Sequence, residues 1–207
     1  MNTETVEGWL DALASEAPTP GGGSAAAVNA AVAAALISMV CNLTVGKPRY
    51  AEHEQTMVAA RSRADGLRKD ALALADADAR AFGAVTAAYR LPKATEEERR
   101  ARTQAIQSAL VGAADVPLRT AALAAAVIGL AAEILPGANV NVISDVAVAA
   151  SSARAALDAA ALNVEVNMAA MQDEAAREDL ARQLERHAMA ADQAGQVIAT
   201  VRERIRQ

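Results

Sequence analysis

Asp78 stands on a stripe formed by Ala71, Leu74, Ala75, Phe82, Val85 and Tyr89 at three-and-four spacing, the spacing of one helix face. A carboxylate on a core-facing stripe is costly to bury alone. It is either a structural ion pair or helix-end cap, or a group that moves protons or steadies a developing cation. Asn141 and Asp145 form a second such set, four residues apart with Ser144 beside them at the start of a helix. There they either cap the helix and complement its dipole or serve chemistry near its free N–H groups. Asn163 and Asn167, again four apart, interrupt an apolar run and are suited to hydrogen bonds across a helix interface. Two turns carry positive charge beside a phenol: Lys47, Arg49 and Tyr50, and the segment AYRLPK from Ala88 to Lys93 with Tyr89. Each is either an ordinary solvated turn or an anion-binding corner.

The stretch PTPGGGSAAA, Pro18 to Ala27, places Gly21, Gly22, Gly23 and Ser24 at the mouth of an alanine-rich run. Three glycines exceed what one tight turn needs. They make either a flexible linker or a backbone surface that something approaches closely. No GK[ST] closes the run and no G-x-G-x-x-G spacing is present, so neither phosphate-loop nor dinucleotide chemistry is implied.

These residues need elements to hold them, and the signals are helical throughout. Thr3 is suited to cap a helix running to about Ala17, with Val6, Trp9, Leu10 and Leu13 on one face. Ser24 or a neighbouring glycine opens a second helix to about Leu43, apolar nearly all round and therefore buried on all sides. A third runs from about Tyr50 to Tyr89, long enough to be broken or bent. Pro92 ends it, and Thr95 with the acids after it opens a fourth, which Pro117 is expected to kink or divide. LPGAN, from Leu135 to Asn139, is the next break. A fifth helix follows over about Val140–Met171, and a charged outer helix runs from about Asp173 to the end. The expectation is an all-α, single-domain bundle of about six helices over residues 1–207, with long central helices.

Composition agrees. Alanine makes up about a quarter of the 207 residues, and aromatics only 2%. Alanine is the best helix former, and its small side chain lets helices approach closely. A net charge of −5 without a basic stripe argues against nucleic acid as a partner. One cysteine, Cys41, and two distant histidines, His53 and His187, argue against a disulfide framework or a dedicated metal cluster. The acidic, amphipathic start is wrong for a signal peptide, and a cytoplasmic location is the expectation. Ala25 to Cys41 is uncharged and about as long as the shortest membrane spans. Its alanine content and Asn29 favour a buried bundle helix, with no membrane association.

PTPGGGSAAA, NLTVGKPRY (Asn42 to Tyr50), DADARAF (Asp76 to Phe82), AYRLPK and NVNVISDVAVAA (Asn139 to Ala150) follow one another in the order and spacing of the cyclodeaminase/cyclohydrolase family, which the chain resembles over nearly its whole length. The resemblance implies an all-α homodimer or assembly of dimers and a tetrahydrofolate substrate, without metal or redox cofactor. Where that family often has a glycine this chain has Ala147, and GKPRY stands in place of a lysine-rich loop, so Pro48 and Arg49 change that loop's stiffness and donors.

Two reactions fit the resemblance: cyclohydrolase opening of 5,10-methenyltetrahydrofolate by water to 10-formyltetrahydrofolate, and cyclodeaminase closure of 5-formiminotetrahydrofolate with loss of ammonia. Both pass through a tetrahedral carbon flanked by nitrogens. The expected acid/base residue is Asp145, with Asp78 as electrostatic partner or second proton carrier and Asn141 and Ser144 orienting pterin or water. Gly21, Gly22, Gly23 and Ser24 are expected to line the folate pocket. Lys47 and Lys93 are expected to hold the acidic tail, Tyr50 or Tyr89 to stack or pass a proton, and Asn42 and Asn139 to complete the substrate-binding set. The absence of an attached formiminotransferase segment tilts the reading towards hydrolysis, or towards a partner enzyme on a separate chain. The competing class is a non-catalytic helical folate-binding or oligomeric scaffold, which would gain nothing from buried carboxylates.

Overall fold

The structure is a computed structural model that describes residues 5–207, and among these no strand occurs. The element order is α1 (Val6–Leu13), α2 (Gly22–Asn42), a 3-10 turn (Pro48–His53), α3 (Glu54–Tyr89), α4 (Glu96–Ile134), two short 3-10 turns (Leu135–Gly137 and Val140–Val142), α5 (Ile143–Ala169) and α6 (Glu174–Arg206). Thr3 lies outside the described residues. Thr5 caps α1, its hydroxyl accepting from Gly8 N at 3.1 Å.

α2 is the hub, packed on α3, α4 and α5, while α6 covers α4 and α5 from outside. Its buried face is alanine at positions 26, 27, 30, 31, 33 and 34, with Ile37 and Val40. Side chains that small bring neighbouring backbones close. Larger residues complete the core: Met57, Val127, Ile128, Leu130, Ile134 and Val146 are fully buried, and side chains of this class contribute about 1.5–3 kcal/mol each on burial. Cys41 lies in the same core, and burial pushes its thiol up to about 11, so it is a packing residue rather than a nucleophile.

Antiparallel register is fixed by polar ties. Between α2 and α3, Ser38 donates to Asp65 at 3.0 Å and Arg61 to Asn42 at 3.0 Å. Between α3 and α4, Arg63 meets Glu133 at 2.8 Å. At the same end of the bundle Arg204 of α6 donates to Leu135 O at 2.8 Å.

Two expectations need correction. α3 begins at Glu54, not near Tyr50, because Pro48 opens a 3-10 turn and Tyr50 has φ −114°, ψ 15°, outside the helical region. Pro117 does not divide α4, which runs from Glu96 to Ile134 through it. A proline leaves the carbonyl four residues back without its helical donor. Here that carbonyl, Ala113 O, accepts from Asn167 Nδ2 of α5 at 3.3 Å. Thr95 caps α4 as expected, and with Glu98 it forms a reciprocal capping box.

α2, α4 and α5 are each long and apolar enough to cross a membrane, by length and composition. Their most apolar windows are 61%, 61% and 39% buried within the protein. α5 thus keeps a largely uncovered apolar side, where Val148, Leu162 and Val166 are exposed. On α2, Val32, Met39 and Leu43 are exposed as well.

Candidate active site

The glycine run opens α2 with no side-chain cap: Gly21 is the N-cap, and Ala25 N is the first amide to bond back, to Gly21 O at 2.9 Å. The N–H groups of Gly22, Gly23 and Ser24 precede any intrahelical acceptor. The antiparallel register of α3 sets Asp78 against this helix start. A Cβ added at Gly23 would lie 2.0 Å from Asp78 Oδ1, so only glycine admits the carboxylate here. Ser24, 1% exposed, directs its hydroxyl to Asp78 Oδ2 and to Ala75 O, each at 3.0 Å. Asp78 is half-buried, and among the described residues no basic side chain pairs with it, so the ion-pair reading finds no support there.

A cavity of about 380 Å³ lies over this corner. Gly21, Gly22, Gly23 and Asp78 form one side of it, and Asn163 and Asn167 of α5 another. Phe82, Val85, Leu110 and Val166 supply apolar wall. The volume falls in the range of small-molecule sites. α5 runs antiparallel to α2, which brings Asn163 to Gly22: a Cβ there would meet Asn163 Nδ2 at 3.6 Å. Behind the glycine run Trp9 of α1 is buried beside Thr19, Pro20 and Ser24.

The other expected residues gather at the opposite end of the bundle. Asn139, 2% exposed, donates Nδ2 to Leu43 O at 2.7 Å. Its Oδ1 accepts from Tyr50 Oη at 3.3 Å and from Asn141 N at 3.1 Å. Tyr50 Oη also accepts from Val140 N at 3.1 Å, and Thr44 Oγ1 accepts from Asn139 N at 3.2 Å. This knot staples the α2–α3 turn to the start of α5, and His53 packs on Gly137 beneath it, where a Cβ would lie 2.2 Å from His53 Cγ. Asn42 accepts from Arg61 nearby. Lys47, Asn141 and Ser144 are exposed around the knot, and Asp145 is half-buried in the first turn of α5. Eighteen residues of α5 separate Asp145 from Asn163, about 27 Å at 1.5 Å per residue. Within one chain, Asp78 and Asp145 therefore belong to different clusters.

Tyr89 and Lys93 lie beyond the cavity's apolar wall, where the Arg102 guanidinium covers the Tyr89 ring at 5.6 Å. The core-facing stripe ends sooner than its spacing suggests: Phe82 is 46% and Tyr89 48% exposed, because the cavity, not another helix, faces the stretch after Asp78. Phe82, Asn163 and Asn167 are among the cavity residues that the expected site set did not include. The signal for Phe82 was its being the chain's only phenylalanine, one turn from Asp78. Among the described residues no group of three or more His, Cys, Asp or Glu side chains is placed to hold a metal ion.

Comparison with known proteins agrees with this architecture. The family described as formiminotransferase-cyclodeaminase matches residues 5–186. A methenyltetrahydrofolate cyclohydrolase of Methylorubrum extorquens is 49% identical over 182 residues, covering 88% of each chain. The formimidoyltransferase-cyclodeaminase of Rattus norvegicus is 34% identical over 174 residues, and there the match spans 84% of this chain but 32% of the longer rat protein. The solved structure of a formiminotetrahydrofolate cyclodeaminase from Thermotoga maritima superimposes with a TM-score of 0.88 at 28% identity, covering 100% of this chain and 99% of that one. By sequence and by fold, the chain belongs to the cyclodeaminase/cyclohydrolase family.

Proposed function

We propose that this protein is a folate one-carbon enzyme, a methenyltetrahydrofolate cyclohydrolase, with its reacting centre in the Gly21–Gly23/Asp78 cavity. The observation that carries the reading is a carboxylate held at the uncapped start of a helix and open to a ligand-sized cavity. The 49% identity to a protein of that name, over 88% of both chains, favours hydrolysis.

In this chemistry, water adds to the carbon between N5 and N10, a C–O bond forms, and the C–N5 bond then breaks. One proton of the water ends on N5 and the other leaves to solvent. Asp78 takes the first proton from the attacking water and hands it to N5. The same carboxylate steadies the cationic one-carbon unit before attack. Ser24 holds the Asp78 carboxylate from behind. Phe82 offers an aromatic face to the flat pterin. Proton transfer by a positioned group is worth roughly 10²–10⁴-fold in rate.

The cyclodeaminase reaction is the second reading, favoured by the TM-score of 0.88 to a cyclodeaminase. Following the absorbance of the methenyl chromophore separates the two. Enzyme-dependent loss from 5,10-methenyltetrahydrofolate establishes the hydrolase, and gain with ammonia from 5-formiminotetrahydrofolate establishes the deaminase. No change from either substrate removes both.

The active form is a homodimer paired through the α2/α5 face. α2 carries no charged residue, and the exposed side of α5 offers Ser144, Val148, Ser151, Ala155, Leu162 and Val166. Two helices of this length present on the order of 600 Å² per copy, enough for a specific interface. A two-fold axis near Ala155 and Val32, the midpoints of the two stripes, lays the copies antiparallel. That brings the Lys47, Asn141, Ser144 and Asp145 cluster of one copy towards the glycine cavity of the other, where Asp145 joins the acid/base work and Lys47 meets the acidic tail.

A further inference from the structure

We propose that the carbonyl oxygens of Asn163 and Asn167 take the N–H edge of the pterin and so fix which way the ring faces Asp78; this rests on the folate reading above. Each amide nitrogen already donates to backbone carbonyls, Asn167 through both of its hydrogens and Asn163 through one of its two. Asn163 Nδ2 donates to Ala159 O at 2.8 Å. Asn167 Nδ2 donates to Asn163 O at 2.8 Å and to Ala113 O at 3.3 Å. A backbone carbonyl can only accept, so in each amide the nitrogen must face it and the oxygen is turned away. Both residues line the cavity, and neither side chain holds a sealed-off polar atom lacking a partner. The two oxygens are therefore acceptors open to the cavity. The proline in α4 contributes to this, since it frees the Ala113 carbonyl that claims one of the Asn167 donors.

The start of α2 is the complementary surface, with the N–H groups of Gly22 and Gly23 beside the Asp78 carboxylate. On a reduced pterin, O4 and N5 are neighbours on one edge, while the 2-amino group, N3–H and N8–H are donors elsewhere on the ring. Placing O4 at the α2 N–H groups sets N5 and its one-carbon unit at Asp78. The ring's donors then fall to Asn163 and Asn167. The reverse placement, with the glutamate tail inside, would set carboxylates against Asp78 and two amide oxygens in a cavity lined, among the described residues, by no Lys, Arg or His.

The test compares two stable ligands, 5-formyltetrahydrofolate and its tail-less counterpart 5-formyltetrahydropteroate, by calorimetric titration of the full chain. Asn163→Leu removes the acceptor at similar volume, and Asn163→Ala removes it without overfilling the cavity; melting curves check that each folds. Loss of one such bond is expected to raise Kd about tenfold. The expected result is the same rise for both ligands in the folded variants. A rise confined to the tail-bearing ligand, or no rise for either, overturns the orientation while leaving wild-type folate binding intact. A wild-type chain that binds neither ligand removes the folate reading, and the orientation with it.

Discussion

At the residue scale the contact between Gly23 and Asp78 is the sharpest constraint in the molecule. Gly23→Ala sets a methyl 2.0 Å from the carboxylate oxygen, and the space behind Asp78 is occupied by Ser24 and the Ala75 carbonyl. Asp78 must therefore swing away from the helix start. The expected outcome is a fall in kcat of more than tenfold in Gly23→Ala. Gly21→Ala, whose Cβ meets nothing nearer than Pro18 O at 3.8 Å, should stay within about threefold in the same assay. Both glycines and the carboxylate were legible in the sequence, as a run too long for one turn and a charge on an apolar stripe. Their meeting was not, because it depends on the register of two antiparallel helices joined through the 3-10 turn at Pro48–His53. Asn139 and Tyr50 show the converse. Residue type suggested substrate contacts, whereas Asn139 Oδ1 and Nδ2 and the Tyr50 hydroxyl all hold partners within the fold.

At the scale of elements, Pro117 and Asn167 act as one unit across α4 and α5. Asn167→Ala strips the Ala113 carbonyl of its donor and should cost about 1–2 kcal/mol of stability, the price of a stranded buried polar group. Pro117→Ala restores an N–H four residues on, able to bond that carbonyl within the helix. In the double variant the Asn167→Ala cost should therefore largely vanish. A thermodynamic cycle from urea unfolding of the four proteins measures this, and strict additivity would disprove the coupling. Helix existence was largely readable from sequence because alanine content, caps and breaks agree, with the cap at Thr95 as the clearest case. The expected division at Pro117 was not sound, since the replacement donor lies 50 residues downstream and no local pattern reveals it.

At the scale of the whole molecule, the fold places two polar clusters at opposite ends of a bundle and leaves between them a face that is uncharged on α2 and carries exposed Val148, Leu162 and Val166 on α5. Antiparallel pairing through that face predicts complementation. Asp78→Asn and Asp145→Asn, each weakly active alone, should regain about a quarter of wild-type activity when unfolded and refolded together in equal amounts. Half of the dimers are then mixed, and each mixed dimer has one intact composite site. No recovery would place both carboxylates' roles within single chains. Sequence spacing could name both clusters but not their separation, which follows from the length of α5.

The most direct measurement of the central claim is single-turnover loss of the methenyl chromophore from 5,10-methenyltetrahydrofolate with wild-type protein and with Asp78→Asn. A proton carrier in the glycine cavity predicts a rate lower by roughly 10²–10⁴-fold in the variant, with substrate affinity and melting temperature close to wild type. A variant that turns over within a few-fold of wild type would contradict the account and move the chemistry out of that cavity.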